Sequence, residues 1–210
     1  KKWQEALGGN IQVIISGGAA LNPRLARVFW AAGLPVFEGY GLTETSPVIS
    51  VNYFDNIKFG SVGKPLAGVE VKIAQDGEIL VKGHNVMKGY YNREDLTKET
   101  VDAEGWFHTG DIGELVGGYL KITDRKKEMF KTAGGKYVAP QMIENKIKEA
   151  PLIEQIMVLG ENRKFPAALV VPNFEALKNW CKLKGIEFGS NEKVIEHKDV
   201  LEKFHKLIED

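Results

Sequence analysis

The stretch LPVFEGYGLTETSP, residues 34–47, changes abruptly from an apolar run to a polar segment with two glycines. Residues 34–37 predict a buried strand, because a short apolar run bounded by turn-forming residues is typical of one. Residues 38–47 predict a turn at the end of that strand. Gly39 and Gly41 in this turn would allow the backbone to approach a ligand closely, since glycine has no Cβ atom.

The other side chains of residues 38–47 are suited to a nucleotide. The ring of Tyr40 offers a flat face on which a purine can stack. The carboxylate of Glu44 is a hard oxygen ligand suited to a magnesium ion that itself holds phosphates. The alternative is an ordinary turn in which Tyr40 fills a core and Glu44 faces solvent, and short motifs do match by chance. This segment alone does not favour either interpretation over the other.

The residues upstream predict an α/β arrangement. Residues 11–15 form a second apolar, β-rich run, and residues 16–20 form a loop of small side chains. A helix follows, with Asn22 as its predicted N-cap and Gly33 at its end. Strand, loop, helix and strand in this order predict a βαβ unit, in which ligands bind at the carboxyl ends of the strands.

The rest of the chain predicts two further parts. Short β-like segments separated by turn pairs such as Asp76-Gly77 predict a small antiparallel sheet or barrel over residues 51–123. The charged run at residues 124–128 predicts a hinge. The fold class is therefore α/β over about residues 1–50, a β-barrel-like portion over 51–123, and a hinge with a small, truncated α+β domain over 124–210.

In this last domain, one helix is predicted to have an apolar face that packs against the core. Pro140 opens it, and its spacing places Met142, Ile143 and Ile147 on one apolar face.

Composition narrows the class of protein. The 28 basic and 28 acidic residues give zero formal net charge, which argues against a nucleic-acid-binding protein. Cys181 is the single cysteine, so no internal disulfide forms, and no His/Cys cluster has the spacing of a zinc site. No apolar run reaches the roughly twenty residues of a membrane span. A cytoplasmic protein is expected, and a start without Met predicts a fragment of a longer chain.

Three separated motifs carry a family resemblance: EGYGLTETSP at residues 38–47, WFHTGD at 106–111 and TDRKK at 123–127. Together and in this order they resemble the adenylate-forming superfamily, which includes acyl-CoA synthetases, luciferases and the adenylation domains of peptide synthetases. The longer forms GYGLTETSPV, HTGDIGEL and ITDRKKEMFKTAGGKYVAP are most similar to long-chain fatty-acid–CoA ligases. The resemblance covers nearly all of the chain.

The resemblance implies a role for each matching residue in binding ATP and magnesium. The implied contacts are Gly17, Gly18 and Ala19 with the adenine and acyl pocket, Gly39 and Gly41 with the nucleotide, Tyr40 with adenine, Thr43 with a phosphate, Glu44 with Mg²⁺, Asp111 with the ribose hydroxyls, and Arg125 with ribose or phosphate. Each residue also has an alternative interpretation without a ligand, namely as part of a tight turn, as a core aromatic or as a surface charge.

The resemblance also implies a second half-reaction with CoA. Lys127 would be the hinge residue, and Lys131, Gly134 and Gly135 would belong to a loop that meets the phosphopantetheine arm. A fatty acid and ATP would give an acyl-adenylate and pyrophosphate, and CoA would then give acyl-CoA and AMP. Rotation about the hinge would present different faces of the small domain to the two steps.

Two features of the family are missing from the 210 residues. The Ser/Thr/Gly-rich phosphate loop with its lysine would lie before Lys1, and the carboxyl-terminal catalytic lysine has no candidate. The isolated fragment is therefore expected to be inactive. Alternatives are a fatty acyl-AMP ligase, an adenylation domain that loads a carrier protein, and a non-catalytic domain that kept the fold. Peripheral membrane contact and a homodimer stay open.

Overall fold

The protein is divided into two compact units. The computed structural model describes residues 2–209, and the contacts within it place residues up to Lys127 in the first unit and residues from Glu128 in the second. Within the described residues, no helix has both the length and the apolar character that a bilayer span requires.

The first unit begins with a four-stranded sheet in the order β1-β2-β3-β4. Its elements are α1 (Lys2–Ala6), β1 (Ile14–Ser16), α2 (Pro23–Ala31), β2 (Val36–Gly41), β3 (Val48–Val51) and β4 (Lys64–Pro65). Strands β1 and β2 are parallel and are connected by α2, which confirms the predicted βαβ arrangement. The predicted N-cap is also confirmed, because the Asn22 side chain accepts hydrogen bonds from the N–H groups of Arg24 and Leu25.

The structure of residues 34–47 differs from the prediction in one respect. Strand β2 continues through Glu38 to Gly41, because Glu38 pairs with Ser16 of β1 and Tyr40 pairs with Ser50 of β3. The chain then turns in a short 3₁₀ helix at Thr43–Thr45. The prediction of a turn beginning at Glu38 was wrong, because pairing on both sides keeps these residues extended.

A second four-stranded sheet completes the first unit, and all of its neighbouring strands are antiparallel, as predicted. Its elements are β5 (Val69–Ile73), β6 (Glu78–Gly83), α3 (Glu94–Thr100), β7 (Phe107–Val116) and β8 (Tyr119–Arg125). The two sheets share a core. Tyr40 and Ile49 of the first sheet pack with Val69, Ile79, Val81 and Leu120 of the second.

The second unit combines short antiparallel strand pairs with helices, as expected for an α+β domain. Its elements are β9 (Phe130–Lys131), β10 (Tyr137–Val138), α4 (Pro140–Ile147), β11 (Ile153–Leu159), β12 (Ala167–Pro172), α5 (Phe174–Lys184), α6 (Asn191–Val194) and α7 (Lys198–Glu209). Cys181 is fully buried in the helical core.

The predicted core face of α4 is only partly correct. Ile147 is buried and packs with Ile153 and Ile156 of β11. Met142 and Ile143 remain 50% and 37% exposed. The prediction for these two residues was wrong, because the buried residues of this eight-residue helix are Pro140 and Ile147, at its two ends.

Candidate active site

The centre of the candidate site is a hydrogen bond between two of the predicted residues. Tyr40 lies in β2 and Asp111 in β7, and the Tyr40 hydroxyl donates to Asp111 Oδ2 at 2.6 Å across 71 residues of sequence. Both residues are buried. Burial, together with the charge of Asp111 and this hydrogen bond, strongly raises the pKa of Tyr40. The hydroxyl therefore keeps its proton and holds the Asp111 carboxylate in place.

The ring of Tyr40 is part of the shared core. It is 9% exposed and packs among the aliphatic side chains of both sheets. Its interaction with adenine stays a prediction, and any stacking would use the small part of the ring that remains exposed. The sequence interpretation treated the core aromatic and the ligand contact as alternatives, and it did not anticipate the hydroxyl as an anchor for Asp111.

Asp111 also lies beside the predicted arginine. The two residues are directly paired across β7 and β8, and Arg125 Nε is 3.6 Å from Asp111 Oδ1. The Asp111 N–H donates to Thr109 Oγ1 at 3.1 Å, and the Thr109 hydroxyl donates to the Ile79 carbonyl at 2.7 Å. The backbone at Asp111 is thus held by Thr109, and the carboxylate is held by Tyr40. The Arg125 side chain is 60% exposed and is available to a ligand bound at Asp111.

Glu44 is held by a residue that the sequence interpretation missed. The Tyr90 hydroxyl donates to Glu44 Oε1 at 2.8 Å, and the Met87 N–H donates to the Glu44 carbonyl at 2.7 Å. Thr43 is exposed on the same 3₁₀ turn. The turn itself depends on Thr45, which is buried, with its hydroxyl oxygen 2.6 Å from the Pro47 carbonyl. The sequence offered no pattern that links Tyr90 to a residue so far upstream.

The donor set around Glu44 fits a magnesium ion bound largely by phosphates. Among residues 2–209, no three His, Cys, Asp or Glu side chains are grouped as a metal site. Magnesium is commonly held by one or two carboxylates, with waters and substrate phosphates as the other ligands. A single half-buried carboxylate next to the exposed Thr43 suits such an ion.

The small-residue loop lies beside the strand that carries Tyr40. Gly17, Gly18 and Ala19 follow β1 and are exposed. A Cβ atom on Gly17 would lie 3.4 Å from the Gly39 carbonyl, so the two segments are neighbours. The structure thus places the loop beside Gly39, the residue that precedes Tyr40.

The glycines of β2 have different structural requirements. A Cβ atom on Gly41 would overlap the carbonyl of Pro47, so the turn at the end of β2 itself requires glycine there. A Cβ atom on Gly39 would make only ordinary contacts, mainly with Val51. Contacts of either glycine with a nucleotide stay predictions.

The remaining predicted residues lie at or beyond the boundary between the units. Lys127 is exposed and is the last residue of the first unit. Lys131 is in β9, and its ammonium group is 4.5 Å from the ring centre of Tyr137 in β10. Gly134 and Gly135 form the turn between these strands. Gly135 has a φ of +77°, and its N–H donates to the Thr132 carbonyl. Their contact with CoA stays a prediction.

Comparison with known proteins identifies two matching families. Residues 1–91 match the AMP-binding enzyme family, and residues 128–196 match the AMP-binding enzyme C-terminal domain. The chain is 45% identical over 181 residues to the long-chain-fatty-acid–CoA ligase FadD15 of Mycobacterium bovis, covering 86% of the chain and 30% of that protein. Human long-chain-fatty-acid–CoA ligase 6 is 40% identical over 213 residues, covering 95% of the chain and 30% of the ligase.

Solved structures give the same answer for the fold. The o-succinylbenzoate CoA synthetase MenE of Bacillus subtilis, in complex with ATP and a magnesium ion, matches with a TM-score of 0.69 and 31% identity, covering 87% of this chain and 43% of that one. The chain spans about 30% of the length of the two ligases above. Its matched families, its three motifs and its fold agree, and the chain belongs to the AMP-binding family of adenylate-forming enzymes.

Proposed function

We propose that the chain supplies the adenosine-binding part of an ATP-dependent long-chain fatty-acid–CoA ligase. The observation that supports this most strongly is the 2.6 Å hydrogen bond from Tyr40 to Asp111. It joins the aromatic motif and the acidic motif, which are far apart in sequence, at one place. The names of the relatives above support a fatty acid as the acid substrate and CoA as the acceptor.

In this proposal Asp111 binds the ribose. A carboxylate has two oxygens and can accept hydrogen bonds from two neighbouring hydroxyl groups. Because the Tyr40 hydroxyl holds Oδ2, the carboxylate is oriented before the ligand arrives. Pre-orientation lowers the cost of ordering a side chain on binding. Arg125, paired to the other oxygen and largely exposed, donates to ribose or phosphate.

Glu44 and Thr43 serve the phosphates. Glu44 would hold the magnesium ion, with Tyr90 fixing the orientation of its carboxylate. When bound, the ion offsets charge on the phosphates while a carboxylate attacks phosphorus. Thr43 is exposed on the same turn, and its hydroxyl donates to a phosphate oxygen. Gly17, Gly18 and Ala19 leave room for the adenine beside β2.

The second half-reaction uses Lys127, the last residue of the first unit, and residues of the second unit. Lys127 is the hinge, and Lys131 with the Gly134-Gly135 turn contacts the phosphopantetheine arm of CoA. A turn of small residues allows a thin arm to pass close to the backbone. Peripheral membrane contact, a cytoplasmic location and a homodimer remain predictions.

The test is to assay the two half-reactions separately in the intact protein. Palmitate-dependent exchange of labelled pyrophosphate into ATP measures adenylation, and product analysis with CoA or an acyl carrier protein identifies the acceptor. The proposal expects exchange that requires palmitate and magnesium, followed by palmitoyl-CoA formation. Transfer only to the carrier protein would favour an adenylation domain or a fatty acyl-AMP ligase. Absence of palmitate-dependent exchange would refute the proposal.

A further inference from the structure

A buried carboxylate that lies outside the three motifs contacts the backbone next to Asp111. Glu78 is the first residue of β6 and is 4% exposed. The pairing of β6 with β7 is irregular between Glu78 and Leu80, and such bulges re-aim side chains. Glu78 Oε1 accepts a hydrogen bond from the Gly110 N–H at 2.9 Å. Its Oε2 lies 2.8 Å from Lys126 Nζ and 3.1 Å from His108 Nδ1.

These contacts close a ring around Gly110. The Lys126 N–H donates to the Gly110 carbonyl at 2.8 Å, while the Lys126 ammonium donates to Glu78. Glu78 in turn accepts from the Gly110 N–H, so both polar groups of Gly110 are held by the same pair of residues. Gly110 has a φ of +73°, a conformation that glycine adopts readily. Gly110 directly precedes Asp111, so this ring of hydrogen bonds fixes the backbone next to the carboxylate that is proposed to bind the ribose.

Within this ring, the hydrogen bond between Glu78 and Lys126 favours the charged form of both side chains. Burial by itself would raise the pKa of Glu78, but hydrogen bonds from Lys126, His108 and Gly110 outweigh it, and the pKa lies below its usual value. Hydrogen bonds to Asp76 and Glu78 raise the pKa of Lys126. Both groups are therefore charged at neutral pH, and charged hydrogen bonds are the stronger kind.

The same sheet contains a comparison pair. Glu114 and Lys121, in β7 and β8, are 3.0 Å apart and are 50% and 47% exposed. Exposed ion pairs of this kind contribute little to stability. The pair has the same chemistry as Glu78 with Lys126, but Glu114 lies three residues beyond Asp111, and the Gly110 peptide bonds to Glu78 and Lys126 instead. It therefore provides matched control substitutions.

We propose that Glu78 is a positioning residue for ribose recognition: with Lys126 it fixes the Gly110 peptide and thereby the Asp111 carboxylate. Glu78 does not touch the nucleotide in this arrangement and acts through Asp111. The inference rests on the proposed function, because it assumes that Asp111 binds the ribose hydroxyls.

The test compares the affinities of AMP and 2′,3′-dideoxy-AMP by calorimetry in the intact protein. Glu78→Gln keeps the volume of the side chain but replaces one acceptor oxygen with a donor amide, so the three donors can no longer all be satisfied. We expect Glu78→Gln to weaken AMP binding about tenfold and to change dideoxy-AMP binding less than about twofold. Glu114→Gln should change neither affinity.

Each outcome decides the inference. Equal weakening of both nucleotides by Glu78→Gln would indicate a general structural role and overturn it, as would AMP binding no weaker than in Glu114→Gln. A wild-type protein that binds both nucleotides equally would instead refute ribose binding by Asp111, on which the inference rests.

A second variant covers the case in which Glu78→Gln does not fold. Lys126→Met removes one side of the ring from a half-exposed position, with Lys121→Met as its control. Because Glu78 would still accept from Gly110, we expect AMP binding to weaken by only about threefold, with dideoxy-AMP binding unchanged. Identical AMP affinities in Lys126→Met and Lys121→Met would contradict the inference.

Discussion

The two units hold their predicted ligand contacts in different ways. In the first unit Asp111 is buried and is bonded to Tyr40, a core residue of another sheet. In the second unit Lys131 is exposed and belongs to a hairpin of two-residue strands, turned by Gly134 and Gly135. The predicted nucleotide contact Asp111 is thus bonded to a core residue, whereas the residues proposed to contact CoA lie in an exposed hairpin.

This difference separates two kinds of experimental effect. Substituting a ligand contact that is also a core contact changes both stability and binding. Exposed segments with few buried contacts open at low cost, so substitutions there affect function with little effect on the fold. The following predictions use that difference, in order of decreasing effect.

Asp111→Ala should have the largest effect. It removes the predicted ribose contacts, and two hydrogen bonds to a charged group correspond to a loss on the order of 10³-fold in adenylation. It also leaves the Tyr40 hydroxyl buried without its partner, which costs about 1–3 kcal/mol of stability. Pyrophosphate exchange and thermal unfolding measure the two effects. Normal exchange in a folded variant would remove Asp111 from the site.

Glu44→Ala should separate activity from stability. The residue is half-buried on the 3₁₀ turn, so its loss should leave thermal unfolding nearly unchanged. Adenylation should fall by about 10²-fold, because the variant loses a ligand for the charge-stabilising metal. Pyrophosphate exchange at saturating ATP is the measurement. Unchanged exchange would show that Glu44 does not serve the phosphates.

Lys127→Pro tests the hinge. Proline fixes φ, so the variant should restrict rotation between the units while leaving the nucleotide contacts intact. Thioester formation should fall on the order of 30-fold with adenylation nearly unchanged, because misplacing one reacting group is costly. Lys127→Ala, which keeps backbone freedom, is the control. Equal losses in both half-reactions would count against a hinge at this residue.

Tyr90→Phe should have a smaller effect. It removes the hydroxyl that orients the Glu44 carboxylate but leaves that carboxylate in place. The magnesium concentration for half-maximal pyrophosphate exchange should rise only about fivefold, because the lost hydrogen bond acts on the metal indirectly, through the orientation of Glu44. Tyr91→Phe is a suitable control, because Tyr91 is 91% exposed. Equal magnesium dependence in the two variants would argue against an orienting role.

The smallest expected effect is on the pH dependence of stability. The pKa of Glu78 in the folded chain lies below its ordinary value of 4.5, despite burial, because of its hydrogen bonds to Lys126, His108 and Gly110. Its contribution to stability is therefore present above pH 4.5 and is lost as the pH falls through the lowered value. Chemical denaturation from pH 7 to pH 3 should show a steeper loss for wild type than for Glu78→Gln. Parallel curves would contradict this linkage.

Some of these features were accessible from sequence and others were not. The cap at Asn22, the parallel pair β1-β2 and the antiparallel second sheet follow from local pattern and turn chemistry. The motif resemblance identified Tyr40 and Asp111, but not the bond between them. That bond depends on how two sheets pack, and periodicity within either segment carries no information about it.

The missed residues share a physical reason. Tyr90 acts on Glu44 from 46 residues away, and Glu78 acts on Gly110 from 32 residues away. Each looks ordinary in its own segment, one as a loop aromatic and the other as a strand-end charge. The overestimated core face of α4 has a similar origin, because spacing defines a face of a helix but does not define how much of it a neighbouring strand covers.

The most direct test of the central claim is a crystal structure of the intact protein with bound AMP. The account predicts both ribose hydroxyls within hydrogen-bond distance, about 2.6–3.0 Å, of the Asp111 carboxylate. It also predicts that the adenine lies beside Tyr40 and the Gly17–Ala19 loop. AMP bound with its ribose away from Asp111, or at a surface that excludes Tyr40, would contradict it.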